Sequence, residues 1–343
     1  MSMRAILVNG GKGPVENLIL GTAPRPTPAA HHVLVKVKSF GLNRMDIFQR
    51  MGKYPVPKHA SEILGVEFSG TVAQTGTTAS KWKEGDEVMG IAAGGAYAEY
   101  IAVPQTHVLP KPSQLSWNEA ASVPEAWLTA FGALAVSCSI KRDEHVLVHT
   151  GASGVGVAAN QLARFLGAKT VTTTASTDDK LAWLRRMPMA PTHTVNYKTA
   201  DFAEEIARVT DGHGVDVLVD FVGKSHWEKN IASLAVDGRM VLLALLSGAT
   251  VEKFSLQPFL YKRLRLEGST LRARSEDYQT ALIERFAREV LPEISGVDGP
   301  GKLKAYIHAT YPWAQIQDAT RELEANQNIG KVVAEIDSTS LPV

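Results

Sequence analysis

A short apolar stretch followed by closely spaced glycines constrains the fold of this chain more than any other feature of its sequence. The run His145-Val-Leu-Val-His-Thr-Gly-Ala-Ser-Gly-Val-Gly156 joins β-branched residues to glycines spaced G-x-x-G-x-G. It predicts a buried parallel strand, a tight turn and the first turn of a helix. Unpaired N–H groups and the helix dipole favour an anion there, and glycines let a pyrophosphate approach the backbone. Because the spacing is not G-x-G-x-x-G, an ordinary strand-to-helix turn stays an alternative.

The segment after this helix indicates which dinucleotide the turn would hold. Lys169-Thr-Val-Thr-Thr-Thr174 predicts the second strand of a βαβ unit. Sites that prefer NAD usually have an acidic residue near the end of this strand. Here the strand ends in Ala175-Ser176-Thr177, and Lys180 follows in the next helix, so hydroxyls and an ammonium could hold a 2′-phosphate. We therefore expect NADPH, although Asp178 and Asp179 place negative charge nearby, where the helix dipole would stabilise them.

Strand and turn patterns divide the chain into two regions. The length of 343 residues suggests two domains. Up to about Pro112, short strand-like runs and frequent turns predict a β-rich barrel or sandwich, and from His145 onward strands alternate with helices, as in a doubly wound α/β sheet. Further strands are predicted at 63–73, 215–220, 240–246, 264–268 and 331–336.

Charge, cysteine content and hydropathy exclude several classes of protein. The net charge is +1 with acidic and basic residues interspersed, which gives no electrostatic case for a nucleic-acid or membrane partner. A lone Cys138 excludes a disulfide framework and suggests a reducing compartment. No run approaches the roughly 20 apolar residues of a membrane-spanning helix, and the start is glycine-rich too early for a signal peptide. We expect a soluble, cytoplasmic protein.

Two motifs outside the glycine-rich turn are specific: Pro124-Glu-Ala-Trp-Leu-Thr-Ala130 and Asn328-Ile-Gly-Lys-Val-Val333. With these motifs, nearly the whole chain resembles the medium-chain dehydrogenase/reductase superfamily, in its zinc-free, zeta-crystallin-like quinone oxidoreductase branch. The resemblance is greatest to the stress- and tumour-suppressor-inducible quinone oxidoreductases. It implies a GroES-like catalytic domain formed by residues 1–128 and 272–343, and a Rossmann NADPH-binding domain formed by residues 129–271.

The counterparts of two zinc-ligand motifs have lost their donors. In zinc alcohol dehydrogenases the first motif reads G-x-C-H-x-D, and in its counterpart Gly41–Asp46 the cysteine is replaced by Asn43. The second motif reads G-H-E, and here Val66 replaces its histidine. A catalytic zinc needs three protein ligands with nitrogen, sulfur or carboxylate donors. We therefore expect no metal, and we expect His149 to be a packed core residue rather than a ligand.

The expected lack of a metal limits the kinds of substrate that the protein could reduce. A simple ketone is hard to reduce without a metal to polarise its carbonyl, whereas a quinone or enone spreads the developing charge over a conjugated system. We predict a quinone reductase that uses NADPH, with ortho-quinones and semiquinones as in parts of the family. An enone, 2-alkenal or enoyl-thioester reductase and a non-catalytic NADPH-binding protein stay open.

The resemblance and the strand pattern assign site residues. Asn43 is expected near the nicotinamide ribose and substrate oxygen, Tyr54 in the substrate pocket as a hydrogen-bond partner or proton donor, and Lys331 at the 2′-phosphate or adjacent groups. The alternatives are that Asn43 is an ordinary turn asparagine and that Tyr54 is an ordinary half-buried aromatic residue. Arg272 and Arg274 could each serve a phosphate or the substrate, or lie on the surface. The other expected cofactor contacts are Thr129, Gly151, Ser153, Gly154, Val155, Gly156, Ser176, Lys180, Tyr197, Gly223 and Leu245.

The last predicted Rossmann strand, Leu264–Gly268, would leave an exposed sheet edge. Such an edge is a template for pairing with another strand. Related enzymes commonly dimerise through this edge, so we expect a homodimer.

Overall fold

The computed structural model describes residues 1–58 and 60–337. The chain divides into two compact units. The first unit comprises Met1–Leu128 and Leu271–Val343, and the second comprises Thr129–Thr270.

The first part of the first unit consists mainly of short strands, with one helix between β3 and β4 and two helices after β7. Its strands before residue 129 are β1 (Ser2–Val8), β2 (Leu18–Pro24), β3 (His32–Gly41), β4 (Glu67–Thr75), β5 (Glu87–Ile91), β6 (Tyr100–Pro104) and β7 (Val108–Pro110). Its helices are α1 (Arg44–Arg50), α2 (Trp117–Ala121) and α3 (Pro124–Phe131), the last continuing across the boundary between the units.

The second unit alternates strands and helices. After a π-helical turn at Gly132–Ser137, its strands are β8 (His145–Val148), β9 (Thr170–Ala175), β10 (His193–Asn196), β11 (Val215–Asp220), β12 (Leu234–Leu242) and β13 (Arg265–Gly268). Its helices are α4 (Gly154–Phe165), α5 (Asp178–Leu184), α6 (Phe202–Val209), α7 (Trp227–Ser233) and α8 (Gln257–Tyr261).

These strands form one parallel sheet in the order β10-β9-β8-β11-β12-β13. Numbered from β8, the order is 3-2-1-4-5-6, which is that of a Rossmann fold. The order reverses between β8 and β11, and ligands of such sheets bind beyond the carboxyl ends of the strands at this point.

The chain then completes the first unit. The returning elements are α9 (Glu276–Glu289), β14 (Ile294–Ser295), β15 (Leu303–Lys304), β16 (Ile307–Pro312), α10 (Ile316–Glu324) and β17 (Lys331–Glu335). The main sheet has the order β16-β17-β3-β4-β5-β7, with β6 also pairing with β3. Short 3₁₀ turns lie at Val15–Asn17, Gln105–His107, Lys224–His226, Leu291–Glu293 and Trp313–Gln315.

The pairing of β17 with β3 positions a candidate site. Val333 lies opposite Gly41 in this antiparallel pair. Lys331, two residues before Val333, therefore lies beside the chain that leaves β3 for α1. Residues more than 280 positions apart in sequence meet at this place, which no local pattern specifies.

Aromatic side chains fill the core of the first unit. Phe40, Phe68, Tyr97 and Trp313 are almost completely buried, and the rings of Phe40 and Tyr97 stack with centroids 4.3 Å apart. Full burial of such a side chain stabilises a fold by about 1.5–3 kcal/mol. Among the described residues, no helix has both the length and the apolar character needed to cross a membrane.

Two predicted strands have different bounds in the structure. The strand expected at 63–73 begins at Glu67, because Gly65 has a φ of +94° and turns the chain where a Cβ would lie 2.2 Å from the Tyr97 ring. The strand expected at 240–246 runs from Leu234 to Leu242. Beyond it, the amides of Leu246 and Ser247 donate to the loop after β11, at 3.1 and 2.9 Å, instead of extending the ladder.

Candidate functional site

Apart from Thr129 on α3, the predicted cofactor residues of the second unit lie after the carboxyl ends of neighbouring parallel strands. The glycine-rich turn follows β8, Ser176 and Lys180 follow β9, and Tyr197 follows β10. Gly223 follows β11, and Leu245 follows β12. Because all these strands are parallel neighbours, the residues lie at the same end of the sheet, where the strands have their carboxyl ends.

The glycine-rich turn packs too closely for side chains at two positions. A Cβ on Gly151 would lie 1.9 Å from Thr173 Oγ1, and one on Gly156 would lie 2.2 Å from the Thr150 carbonyl oxygen. The Ser153 hydroxyl accepts a hydrogen bond from the Gly156 amide at 3.0 Å and so caps α4, which Gly154 and Val155 begin. Packing within the protein therefore requires both glycines, and the N-terminus of α4 beside them is of the kind that binds a pyrophosphate.

The end of β9 carries hydroxyls and a partly buried ammonium. Thr177 caps α5 by accepting a hydrogen bond from the Lys180 amide at 3.4 Å, and Ser176 is partly exposed. Burial lowers the pKa of Lys180. Asp178 accepts a hydrogen bond from Asn196 Nδ2 at 2.9 Å, so its carboxylate is tied to the end of β10. Ser176 and Thr177 thus follow β9 with Lys180 in the first turn of α5, which is compatible with a 2′-phosphate, although Asp178 and Asp179 keep negative charge in the same turn.

Gly223 and Leu245 lie together in the structure. Gly223 has a φ of +78°, and a Cβ on it would lie 2.9 Å from the Gly248 carbonyl oxygen and 3.0 Å from Leu245 Cδ2. The Asp220 carboxylate accepts hydrogen bonds from the amides of Val222 and Gly223, at 2.8 and 3.1 Å, and thereby holds the turn. Leu245 is 46% exposed and is available to a ligand.

His149 is a packed residue, as expected. Its Nδ1 lies 2.8 Å from Thr174 Oγ1 and its Nε2 lies 2.7 Å from Asn230 Oδ1. Its ring is fully buried, and burial lowers its pKa to about 4. The His226 ring packs against it with centroids 4.8 Å apart and also contacts Tyr197 at 5.1 Å. No sequence pattern identified His226, because its position depends on the turn after β11.

Lys331 lies in a buried polar cluster of the first unit. Its Nζ donates to the Leu42 carbonyl oxygen and to Asn43 Oδ1, both at 2.8 Å, and lies 2.5 Å from Glu67 Oε1. An ammonium has three N–H donors, and these three oxygens accept them. The geometry therefore favours a positioning role within the first unit over the predicted contact with a 2′-phosphate.

The Asn43 amide is held at both of its ends. Its oxygen accepts from Lys331, and its Nδ2 donates to Glu67 Oε1 at 2.9 Å. Glu67 Oε2 accepts from the Glu125 backbone amide, also at 2.9 Å. The Lys331 ammonium thus supplies positive charge between the two segments, Asn43 and Val66–Glu67, in which zinc-ligand donors are replaced. Within residues 1–58 and 60–337, no group of three or more His, Cys, Asp or Glu side chains is arranged to hold a metal ion.

Asp46 anchors the start of α1. Its Oδ2 accepts hydrogen bonds from the Asn43 amide at 2.8 Å and from the Tyr97 hydroxyl at 2.9 Å. Burial raises the pKa of Asp46 to about 6, although these donors oppose the shift. The backbone at Asn43 is therefore fixed by the same cluster as its side chain.

Glu125, Arg272 and Tyr54 form the other side of this cluster. Glu125 and Arg272 are each 5% exposed, and burial, followed by the charge of Glu67, raises the pKa of Glu125 to about 8. Arg272 is therefore not a surface residue; its Nε and Nη2 donate to the Ala93 carbonyl oxygen at 2.8 and 2.5 Å. Its guanidinium carbon lies 5.3 Å from the Tyr54 ring centroid. Burial raises the pKa of the half-buried Tyr54.

Two family models match the chain. The model described as alcohol dehydrogenase GroES-like domain matches residues 29–113, and the model described as zinc-binding dehydrogenase matches residues 154–288. The second range lies in the sequence after Asn43 and Val66, so its description does not bear on the replaced ligands.

Individual relatives and solved structures are similar over nearly the whole chain. The synaptic vesicle membrane protein VAT-1 homolog of Danio rerio is 27% identical, covering 96% of this chain and 69% of the relative. An NAD-dependent alcohol dehydrogenase and the CurK enoyl reductase are each 29% identical with a TM-score of 0.83, covering 98% of this chain and 100% and 99% of theirs. The quinone oxidoreductase of Pseudomonas syringae pv. Tomato DC3000 is 27% identical with a TM-score of 0.83, covering 98% and 100%.

Proposed function

Because the chain belongs to the quinone oxidoreductase-like family of medium-chain dehydrogenases/reductases, we propose that it is a zinc-independent, NADPH-dependent quinone reductase. One observation carries the proposal. The Lys331 ammonium, held by Asn43 and Glu67, lies between the two segments in which zinc-ligand donors are replaced. Its donors are used by the protein, so the site favours acceptors that spread charge by conjugation over ketones that need a Lewis acid.

The second unit supports a dinucleotide as the hydride source. The closely packed turn at Gly151 and Gly156 suits the pyrophosphate of the dinucleotide. Gly223 and Leu245, after the next strands, suit close contact with the rest of the cofactor. Ser176 and Lys180 at the end of β9 suit a 2′-phosphate, which is the basis for proposing NADPH over NADH. When bound, NADPH would supply a hydride to the acceptor.

Asn43 and Tyr54 of the first unit would position the acceptor, and Thr129 of the second unit would hold the nicotinamide. Asn43 is fixed by Lys331 and Glu67, and its role at the substrate oxygen and nicotinamide ribose stays a proposal from the resemblance. Tyr54, packed on Arg272, is the proposed aromatic wall of the substrate pocket. Thr129 on α3 is partly buried and is the proposed partner of the nicotinamide carboxamide.

An enone or enoyl-thioester reductase is the second candidate. The observation that favours it is that the CurK enoyl reductase matches this chain as well as the quinone oxidoreductase does. Both reactions add a hydride to a conjugated carbonyl, so the polar cluster suits either acceptor.

A panel of acceptors distinguishes these functions. NADPH oxidation by the purified protein would be followed with an ortho-quinone, a para-quinone and a simple enone, with NADH as the control. The proposal predicts turnover of a quinone with NADPH. Reduction of the enone alone would replace it with the second candidate. Tight NADPH binding without turnover of any acceptor would indicate a binding protein.

We also propose that two copies pair through β13. This strand pairs with β12 in the parallel sheet, and Arg265, Leu266 and Glu267 are exposed. In an antiparallel pair centred on Leu266, each Arg265 would lie opposite Glu267 of the other copy. Opposite charges in such cross-strand positions stabilise a sheet.

A further inference from the structure

Glu125 is a buried carboxyl group that the proposed roles above do not use. It lies in the first turn of α3, and only its backbone amide is engaged, by Glu67 Oε2. No hydrogen bond or ion pair to its carboxyl occurs in the described part of the chain. A buried carboxylate without a bonded partner is costly, so such a group favours its neutral form.

The charges around Glu125 reinforce this. Glu67 on β4 and Asp46 on α1 disfavour a further negative charge, whereas Lys331 on β17 and Arg272 before α9 favour it. Lys331 is in contact with Glu67, and the guanidinium of Arg272 donates to a backbone carbonyl. Neither cation forms an ion pair with Glu125, and their attraction is outweighed by the burial of Glu125 and the charge of Glu67.

We propose that Glu125 is held as a neutral carboxylic acid and supplies the proton that completes reduction of the acceptor. This inference rests on the proposed function. Hydride addition from reduced nicotinamide leaves the acceptor as an anion. The O–H bond of Glu125 then breaks, a new O–H bond on the quinol or C–H bond on the enone product forms, and Glu125 becomes a carboxylate. A proton from solvent restores the acid.

Glu125 suits this role better than Tyr54. A general acid works best when its pKa lies near the working pH. The pKa of Glu125 is about 8, whereas burial raises the pKa of Tyr54 above its ordinary value of 10. Tyr54 also packs against the Arg272 guanidinium, so removal of its hydroxyl leaves the ring contact in place. These differences favour Glu125 over Tyr54 as the proton donor and leave Tyr54 as an aromatic wall of the pocket.

Two independent readouts test the inference on the full-length protein. The first is infrared spectroscopy without cofactor at pH 7, comparing wild type with E125Q. Glutamine has the shape of a neutral glutamic acid, so E125Q should fold, and its melting temperature checks this. The exposed E84Q variant is the matched control. We expect a carbonyl band from a protonated carboxyl group in wild type and E84Q that is missing in E125Q.

The second readout is the pH dependence of steady-state turnover. The kcat of the wild type should fall as pH rises above about 8, because the donor ionises. The kcat of E125Q should be about 10²–10⁴-fold lower without this limb, with KM for NADPH retained.

Three outcomes would overturn the inference. The first is that wild type shows no infrared band from a protonated carboxyl group at pH 7. The second is that E125Q folds and keeps both the kcat of wild type and its fall at alkaline pH. The third is that Y54F loses as much kcat as E125Q and also loses the fall at alkaline pH. If the wild type reduces no acceptor, the proposed function fails and the donor role fails with it. The infrared band still shows in that case whether Glu125 is neutral, which separates the two failures.

Discussion

The Nζ atom of Lys331 lies 2.5 Å from Oε1 of Glu67, and the same ammonium donates to the Asn43 side chain. The Glu67 side chain is fully buried and that of Lys331 is 7% exposed, so water screens this pair poorly. The pair joins the last strand of the first unit to β4 and fixes the segment between β3 and α1. Stability and site geometry therefore depend on the same contact.

Removal of one member of this pair should strongly destabilise the protein. We expect K331M or E67Q to lower the free energy of unfolding by about 3–5 kcal/mol, because the remaining polar group stays buried without its partner. The double variant should cost less than the sum of the single variants. Denaturant unfolding of the four proteins measures this. Additive losses, or losses below about 1 kcal/mol, would show that the ion pair is not a structural element.

Glu125 should make the protein less stable at alkaline pH. Its folded pKa of about 8 lies above the ordinary value of 4.5, so its stabilising contribution is complete below about pH 4.5 and disappears as pH rises to 8. E125Q should remove much of this dependence and melt higher than wild type at pH 8.5, on the order of 5 °C. The pKa of Asp46 is also raised, to about 6, so wild type and E125Q should both keep the part of the pH dependence that comes from Asp46. If the melting temperatures of wild type and E125Q changed in parallel between pH 5 and pH 8.5, the prediction would be wrong.

The histidine pair of the second unit should have the opposite dependence. The pKa values of His149 and His226 are lowered to about 4 by burial, so their contribution to stability is present above pH 6.5 and is lost as pH falls to 4. H226F keeps an aromatic ring against His149 and removes one titrating group. We expect H226F to lose less stability than wild type between pH 7 and pH 4.5, as measured by thermal melting. An equal loss would mean that His226 does not control acid unfolding.

Lys180 should distinguish NADPH from NADH. A hydrogen bond to a charged group contributes about 1.5–3 kcal/mol, so K180A should weaken NADPH about 10- to 150-fold and NADH only slightly. The exposed K169A variant is the control. Dissociation constants from fluorescence titration provide the comparison. Equal weakening of both cofactors would remove Lys180 from 2′-phosphate recognition.

Pairing through β13 predicts a charge-swap result. R265E would place two like-charged residues opposite each other in an antiparallel pair centred on Leu266, and should yield a monomer. R265E/E267R would exchange the charges and should restore the dimer. Sedimentation velocity at micromolar concentration measures the mass of each. A monomeric wild type would exclude the dimer, and a dimeric R265E would exclude this pairing.

The second unit could be predicted well from sequence because its signals are local. The strand and glycine turn at His145–Gly156, the β-branched β9 and the run Val215–Asp220 each carry their own pattern. The parallel order of the strands then places their carboxyl ends at one edge. Asn43 was selected because it replaces a ligand in a recognisable motif.

The polar cluster could be predicted only in part, because it depends on contacts between distant segments. Glu125 stood in a specific motif, yet its proximity to Glu67 depends on how α3 packs near β4. Lys331 was expected at the 2′-phosphate or adjacent cofactor groups, since the sequence did not show that β17 places it beside Asn43. Arg272 could equally have been a surface residue, and only the fold shows its burial.

The most direct test of the account is the effect of metal on quinone reduction. NADPH oxidation with a quinone would be measured before and after dialysis against a strong chelator, and again after zinc is returned, with zinc content determined for each sample. The account predicts the same kcat in all three samples without stoichiometric zinc, because Lys331 is the cation beside Asn43 and Glu67. Activity that is lost on chelation and regained with zinc would contradict it.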